Sequence, residues 1–227
     1  IVAEETAAPV ASAPATLDPA SPPTFSGALV FVPQDNLNTD ALYPGKYTYQ
    51  DDITPARQAE VVMENYDPSL AASIAQERAE RASRQAASSI VLVSGYNFGT
   101  GSSREQAATA LKYAGVPVVL AGSFSDVFKR NAINNGLICL QCPELVDDLT
   151  SAYAKDGKRG AGGRQPGELS VWLRDATVSL DSSTGTVTLL HSDGTEKRYT
   201  TRPAGIGRSI QDMYVAGGME SWVQQRL

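Results

Sequence analysis

The stretch YNFGTGSSREQAATALKYAG, residues 96–115, concentrates groups able to do chemistry. Gly99 and Gly101 precede Ser102, Ser103, Arg104 and Glu105, and an alanine-rich helical pattern follows. Glycines let a backbone come close to a ligand. A helix N-terminus offers unpaired N–H groups and the positive end of its dipole, which suits an anion. Arg104 adds a planar fork that can grip a carboxylate or phosphate through two bonds. A serine hydroxyl in that field has its alkoxide stabilised and can act as a base where water is excluded. The spacing is neither the G-x-x-x-x-G-K-[ST] of a Walker loop nor G-x-G-x-x-G. The residues alone therefore describe an anion-binding loop suited to a carboxylate. A plainer account stands beside it: Ser102 with Glu105, or Ser103 with Gln106, matches a capping box. Either serine would then be the helix N-cap, and the register between them stays open.

The elements that must hold this loop are legible around it. GALVFV (27–32), SIVLVSG (89–95), VPVVLAG (116–122) and GLICLQCP (136–143) are short apolar runs bounded by turn residues and predict buried strands. Helical patterns over 55–65, 70–87, 103–114 and 124–134 alternate with them. The alternation predicts an α/β fold with a mostly parallel central sheet flanked by helices. Residues 169–200 add β-rich segments separated by DSSTG and SDG, which predict hairpins, and a helical segment broken at Gly217 and Gly218 closes the chain. KDGKRGAGGRQPGE (155–168) has the composition of a mobile surface loop. Residues 1–24, rich in Ala, Pro, Ser and Thr, are expected to be a disordered linker or tail ahead of one domain over 25–227. Because the chain opens on Ile1, a processed chain or a piece of a longer one is expected.

Composition sets further bounds. A net charge of −6 argues against nucleic acid as a partner, since phosphate contacts need clustered Lys and Arg. No apolar run approaches the length that spans a bilayer, so no membrane partner is expected either. Cys139 and Cys142 form a C-x-x-C but alternate with Leu140 inside an apolar strand, which favours a core role over a metal or redox one. His191 has no second candidate ligand nearby and is expected at the surface, and no metal site is expected in this chain. Arg130 has two readings, a place near the site or a pair with a carboxylate on a solvated face, the second being commoner for a single charge. Trp172 and Trp222 are expected to act as core or interface anchors.

NFGTGSSREQAA resembles the signature of the swivelling C-terminal domain of the aconitase superfamily. DNLNTDALYPGKYTYQDDI (35–53) resembles the N-T-D-x-I-x-P segment that opens that domain, and GSFSDVFKRNAINNGLICL (122–140) resembles its later S-F and G-L segment. GGMESWVQQRL is similar to the end of fungal homoaconitases, the branch resembled most. The resemblance implies a swivelling β/β/α domain of a mitochondrial-matrix hydro-lyase that hydrates homoaconitate to homoisocitrate in lysine biosynthesis. In such enzymes a 4Fe-4S cluster sits on other domains of the same polypeptide, held by three cysteines; none is expected on this chain. Its fourth iron binds a hydroxyl and a carboxylate of the tricarboxylate substrate. The swivelling domain closes over it.

Carried onto this sequence, the resemblance makes Ser102 the base, Arg104 the carboxylate binder and Ser103 a binding group, with Gly99 and Gly101 shaping the loop. Asn38, Thr39 and Asp40 fall on the other wall of the site. A stretch that sorts substrates by length corresponds to Tyr47–Gln50; relatives accepting homoaconitate carry an arginine there, whereas this chain has Tyr49. Lys46 is the other candidate for the distal carboxylate. Rival readings are the same domain of an aconitase or isopropylmalate isomerase, and a non-catalytic carboxylate- or phosphate-binding module.

Overall fold

The computed structural model describes residues 19–50, 52–153 and 169–227. Most of the expected tail and all of the expected 155–168 loop therefore lie outside the described residues. Strands β1 (Thr24–Val32), β2 (Ser89–Ser94), β3 (Val118–Ala121) and β4 (Ile138–Gln141) coincide with the four apolar runs. Strands β5 (Val171–Asp181), β6 (Thr186–His191) and β7 (Glu196–Thr200) are the predicted hairpins. All join one seven-stranded sheet in the order β4-β3-β2-β1-β5-β6-β7. The first four pair in parallel and the hairpin strands continue antiparallel from β1.

The parallel strands read as continuous apolar runs because both faces of the sheet are covered. Side chains alternate between faces. Val30, Val32, Ile90 and Leu92 point into a layer built with α2 (Pro55–Glu60), α3 (Leu70–Ser83), α4 (Gln106–Ala114) and α5 (Asp126–Asn134). Leu29, Phe31, Val91 and Val93 point into the other, where α6 (Pro143–Tyr153) supplies Leu145, Val146 and Leu149. The remaining helices are a short α1 (Thr39–Leu42), α7 (Arg208–Ala216) and α8 (Met219–Gln224), the last two separated at the glycine pair as expected.

Several sequence expectations need correction. The α6 helix had no counterpart in the sequence reading, although Pro143 at its start and the Leu145–Val146–Leu149 spacing are ordinary helix signals. The 55–65 helix stops at Glu60, because the buried Val61-Val62-Met63 turn leads into a left-handed Met63 (φ 58°) whose N–H bonds Leu42 O at 2.8 Å. His191 is half-buried rather than exposed, with Nδ1 3.5 Å from Asp175 Oδ2 across the β5–β6 pair. Trp172 does pack against the first core layer.

At the carboxyl ends of β1 and β2 the two chain segments stay side by side. Asn36 N bonds Tyr96 O, Gly99 N bonds Leu37 O and Thr39 N bonds Thr100 O, each at 2.8 Å. Phe98 makes a further bridge to Phe124, beyond β3. The crevice at the carboxyl ends of parallel strands is where open α/β sheets bind ligands.

Candidate functional site

The loop between β2 and α4 is rigidly specified. Gly99 (φ 76°) lies against Phe128: a Cβ there would stand 2.2 Å from the ring's Cγ. Asn97 (φ 57°) is left-handed too and donates to Asn36 Oδ1 at 2.8 Å. These constraints deliver residues 101–105 to the rim of the sheet.

The capping box does not form. Helix α4 begins at Gln106 with Glu105 as N-cap, and no side chain accepts from its first turn. Neither Ser102 nor Ser103 caps the helix, so the plainer account of these serines is corrected. Ser102 Oγ instead lies 2.9 Å from Thr39 Oγ1, and Ser102 N–H donates to that same oxygen at 3.1 Å. Thr39 is buried, the first residue of α1, while Ser102 is exposed. Asn38 is the N-cap of α1, its Oδ1 accepting from Ala41 N at 2.8 Å. Asn131, on α5, donates to Ser103 O at 3.0 Å.

Arg104 reaches back to the same wall. Its Nη1 is 3.0 Å from Asp40 Oδ1 and 3.1 Å from Tyr43 O. Asp40 Oδ1 also accepts from Gly45 N at 2.8 Å, and Oδ2 from Asn65 Nδ2 at 2.9 Å. The Gly45 N–H, followed by the Arg104 guanidinium, holds the Asp40 carboxyl below its ordinary range despite partial desolvation. Asp40 therefore stays ionised and, together with Tyr43 O, holds the guanidinium through Nη1.

An open hollow of about 430 Å³ is lined by Thr48, Tyr49 and the run 102–106. Of the residues singled out from the sequence, it gathers Tyr49, Ser102, Ser103 and Arg104, with Thr39, Asp40 and Asn38 behind them. Lys46 does not line it. Its ammonium pairs with Glu64, which also accepts from Tyr47 OH at 2.9 Å. Asn65, Glu64 and Asn131 went unnoticed in the sequence, where none carries a motif. A separate hollow of about 360 Å³ lies near Ser89 and Pro117, at the other ends of the strands. There Lys112 Nζ donates to Asn135 O and Gly217 O at 2.9 and 2.6 Å, satisfying carbonyls at the ends of α5 and α7.

Residues 4–145 match the aconitase C-terminal domain. The chain belongs to that family. It is 58% identical over 211 residues to the mitochondrial homoaconitase of Mycosarcoma maydis, and 53% identical over 209 to that of Cryptococcus neoformans. In both cases 91% of this chain is covered but only 28% of the relative. Among solved structures, the 3-isopropylmalate dehydratase of Methanocaldococcus jannaschii superposes with a TM-score of 0.61 at 25% identity, over 89% of this chain and 95% of that one. The match agrees with the aconitase-type swivel fold that the motifs implied.

Aconitase-family membership implies a 4Fe-4S cluster in the full enzyme. The residues described here do not fit one. Cys139 and Cys142 are both buried and belong to different core layers. Burial pushes the Cys142 thiol up to about 11, and the Cys139 thiol higher still. Among the described residues no group of three or more His, Cys, Asp or Glu converges to hold a metal ion.

Proposed function

We propose that this chain is the swivelling domain of a mitochondrial homoaconitase, which interconverts homoaconitate and homoisocitrate on the α-aminoadipate route to lysine. The remainder of a longer polypeptide completes the site and carries the cluster. Within this domain Ser102 moves the proton at the carbon next to a carboxylate, and Arg104 binds a substrate carboxylate with Ser103 beside it. The observation carrying this reading is that Ser102 Oγ is not a helix cap. It sits at the rim of the hollow, next to an oriented guanidinium and the open end of α4. The identity to the Mycosarcoma maydis enzyme supports homoaconitate over shorter or apolar substrates. The clamp on Arg104 supports its assignment, because a preoriented fork loses less freedom on binding a carboxylate.

The test is turnover of homoaconitate by the full-length, cluster-loaded enzyme. Ser102→Ala is expected to lower kcat by at least about 10²-fold with KM nearly unchanged, as for a group acting in the transition state. Arg104→Lys is expected to raise KM as well, since a point charge cannot reproduce a two-bond contact. A Ser102→Ala enzyme turning over at the normal rate would sink the reading.

A further inference from the structure

We infer that Thr39 is a positioning residue that sets the protonation state of Ser102, rather than a substrate contact. The inference rests on Ser102 being the base. Thr39 is 2% exposed, so it offers no surface to a substrate. Its hydroxyl oxygen already accepts the Ser102 N–H at 3.1 Å and stands 2.9 Å from Ser102 Oγ. A hydroxyl carries one proton and two lone pairs. While Ser102 is protonated, either hydroxyl can donate across the pair. Once Ser102 has given its proton to water in the open hollow and is an alkoxide, only Thr39 can donate. The Thr39 proton then points at the developing charge from a fixed, buried position. Hydrogen bonds to a charged acceptor are roughly twice as strong as neutral ones, so the Thr39 donor lowers the cost of ionising Ser102. When the alkoxide takes the substrate proton, Thr39 keeps its own and the pair returns to its neutral form.

The fold makes this contact deliberate. Gly99 N bonds Leu37 O and Thr39 N bonds Thr100 O, so the start of α1 and the Ser102 loop are joined by backbone immediately ahead of the hydroxyl pair. Gly101 adopts φ 103°, a conformation that side chains rarely take, while a Cβ there would meet Thr39 Oγ1 only at an ordinary contact distance of 3.4 Å. The two residues are 63 apart in sequence, and the backbone ladder fixes their separation independently of either side chain.

The experiment uses the full-length, cluster-loaded enzyme with homoaconitate. Thr39→Val removes the donor at nearly constant shape and is expected to lower kcat about 100-fold, the scale of losing one oxyanion donor, with KM changed less than about 3-fold. Thr39→Ser is expected to recover most of the rate. In a Ser102→Ala background, Thr39→Val is expected to cause no further loss, because a residue acting through Ser102 is not additive with it. Hydrogen exchange supplies a readout independent of turnover: the Ser102 amide is expected to exchange faster in Thr39→Val but not in Thr39→Ser. Should Thr39→Val melt early, Thr39→Ala read below its melting temperature carries the same comparison. If Ser102→Ala is inactive while Thr39→Val or Thr39→Ala keeps a normal kcat, the inference falls and the assignment of Ser102 survives. Equal losses in Thr39→Ser and Thr39→Val, or a further loss in the Ser102→Ala background, also overturn it. An active Ser102→Ala enzyme removes both.

Discussion

At the scale of single residues, the site is organised around two anchors on the short α1 helix, and each serves one functional group of the loop opposite. Thr39 holds Ser102 and Asp40 holds Arg104. Asp40 receives Gly45 N–H, Arg104 and Asn65, so its carboxyl is held below the ordinary range. A carboxyl lowered in the folded state adds stability above its unfolded pKa, near 3.9, which is lost as pH falls through the folded value. Asp40 is half-exposed, so the effect is that of a surface pair. Asp40→Asn is expected to cost no more than about 1 kcal/mol at pH 7. The gap to the parent should close as pH drops below about 4. Urea unfolding of both proteins from pH 7 to 3 measures it, and a gap that does not narrow at all by pH 3 would mean the clamp is not ionic. The loop residues were readable in advance because their types announce chemistry. Asn65 and Asn131 were not, because an amide bound to a backbone or a carboxylate leaves no local pattern.

At the scale of elements, the four parallel strands and the helices between them were visible, since burial of both sheet faces turns strands into apolar runs, whereas the α6 helix after β4 was missed. What local sequence misjudged was the start of α4. Ser-x-x-Glu is a strong cap signal, yet a tertiary partner 63 residues away took the Ser102 hydroxyl. The loop that presents it depends on a close packing of glycine on Phe128. Gly99→Ala is expected to destabilise by about 3 kcal/mol, combining an unfavourable positive φ with overpacking. Gly194 isolates the first component: its φ is 87°, but a Cβ there would meet nothing within 4 Å. Gly194→Ala is therefore expected to cost about 1 kcal/mol. Equal costs for the two variants in denaturant unfolding would show that the Phe128 contact yields easily.

At the scale of the whole molecule, this chain spans 28% of the length of the Mycosarcoma maydis relative, yet 95% of the Methanocaldococcus jannaschii chain is matched by it. The same fold thus occurs both inside a long polypeptide and as a short chain. The physical basis is visible here: two core layers enclose one sheet, and the exposed edge strand β7 carries Glu196, Lys197 and Arg198, charges that discourage edge-to-edge pairing. Such a unit needs no neighbour to bury its core. The chain on its own is therefore expected to unfold in one cooperative transition, coincident by circular dichroism and Trp fluorescence. It is also expected to show no turnover of homoaconitate, because Ser102 and Arg104 line only one wall of an open hollow. Mixing it with a cluster-loaded homoaconitase polypeptide truncated before this domain should restore activity in a saturable, concentration-dependent way, as linkage in one chain mainly raises effective concentration. Broad, non-coincident unfolding would mean that the domain relies on its partners for its core. A cooperative fold that fails to complement at any concentration would instead locate the missing contribution in the covalent connection.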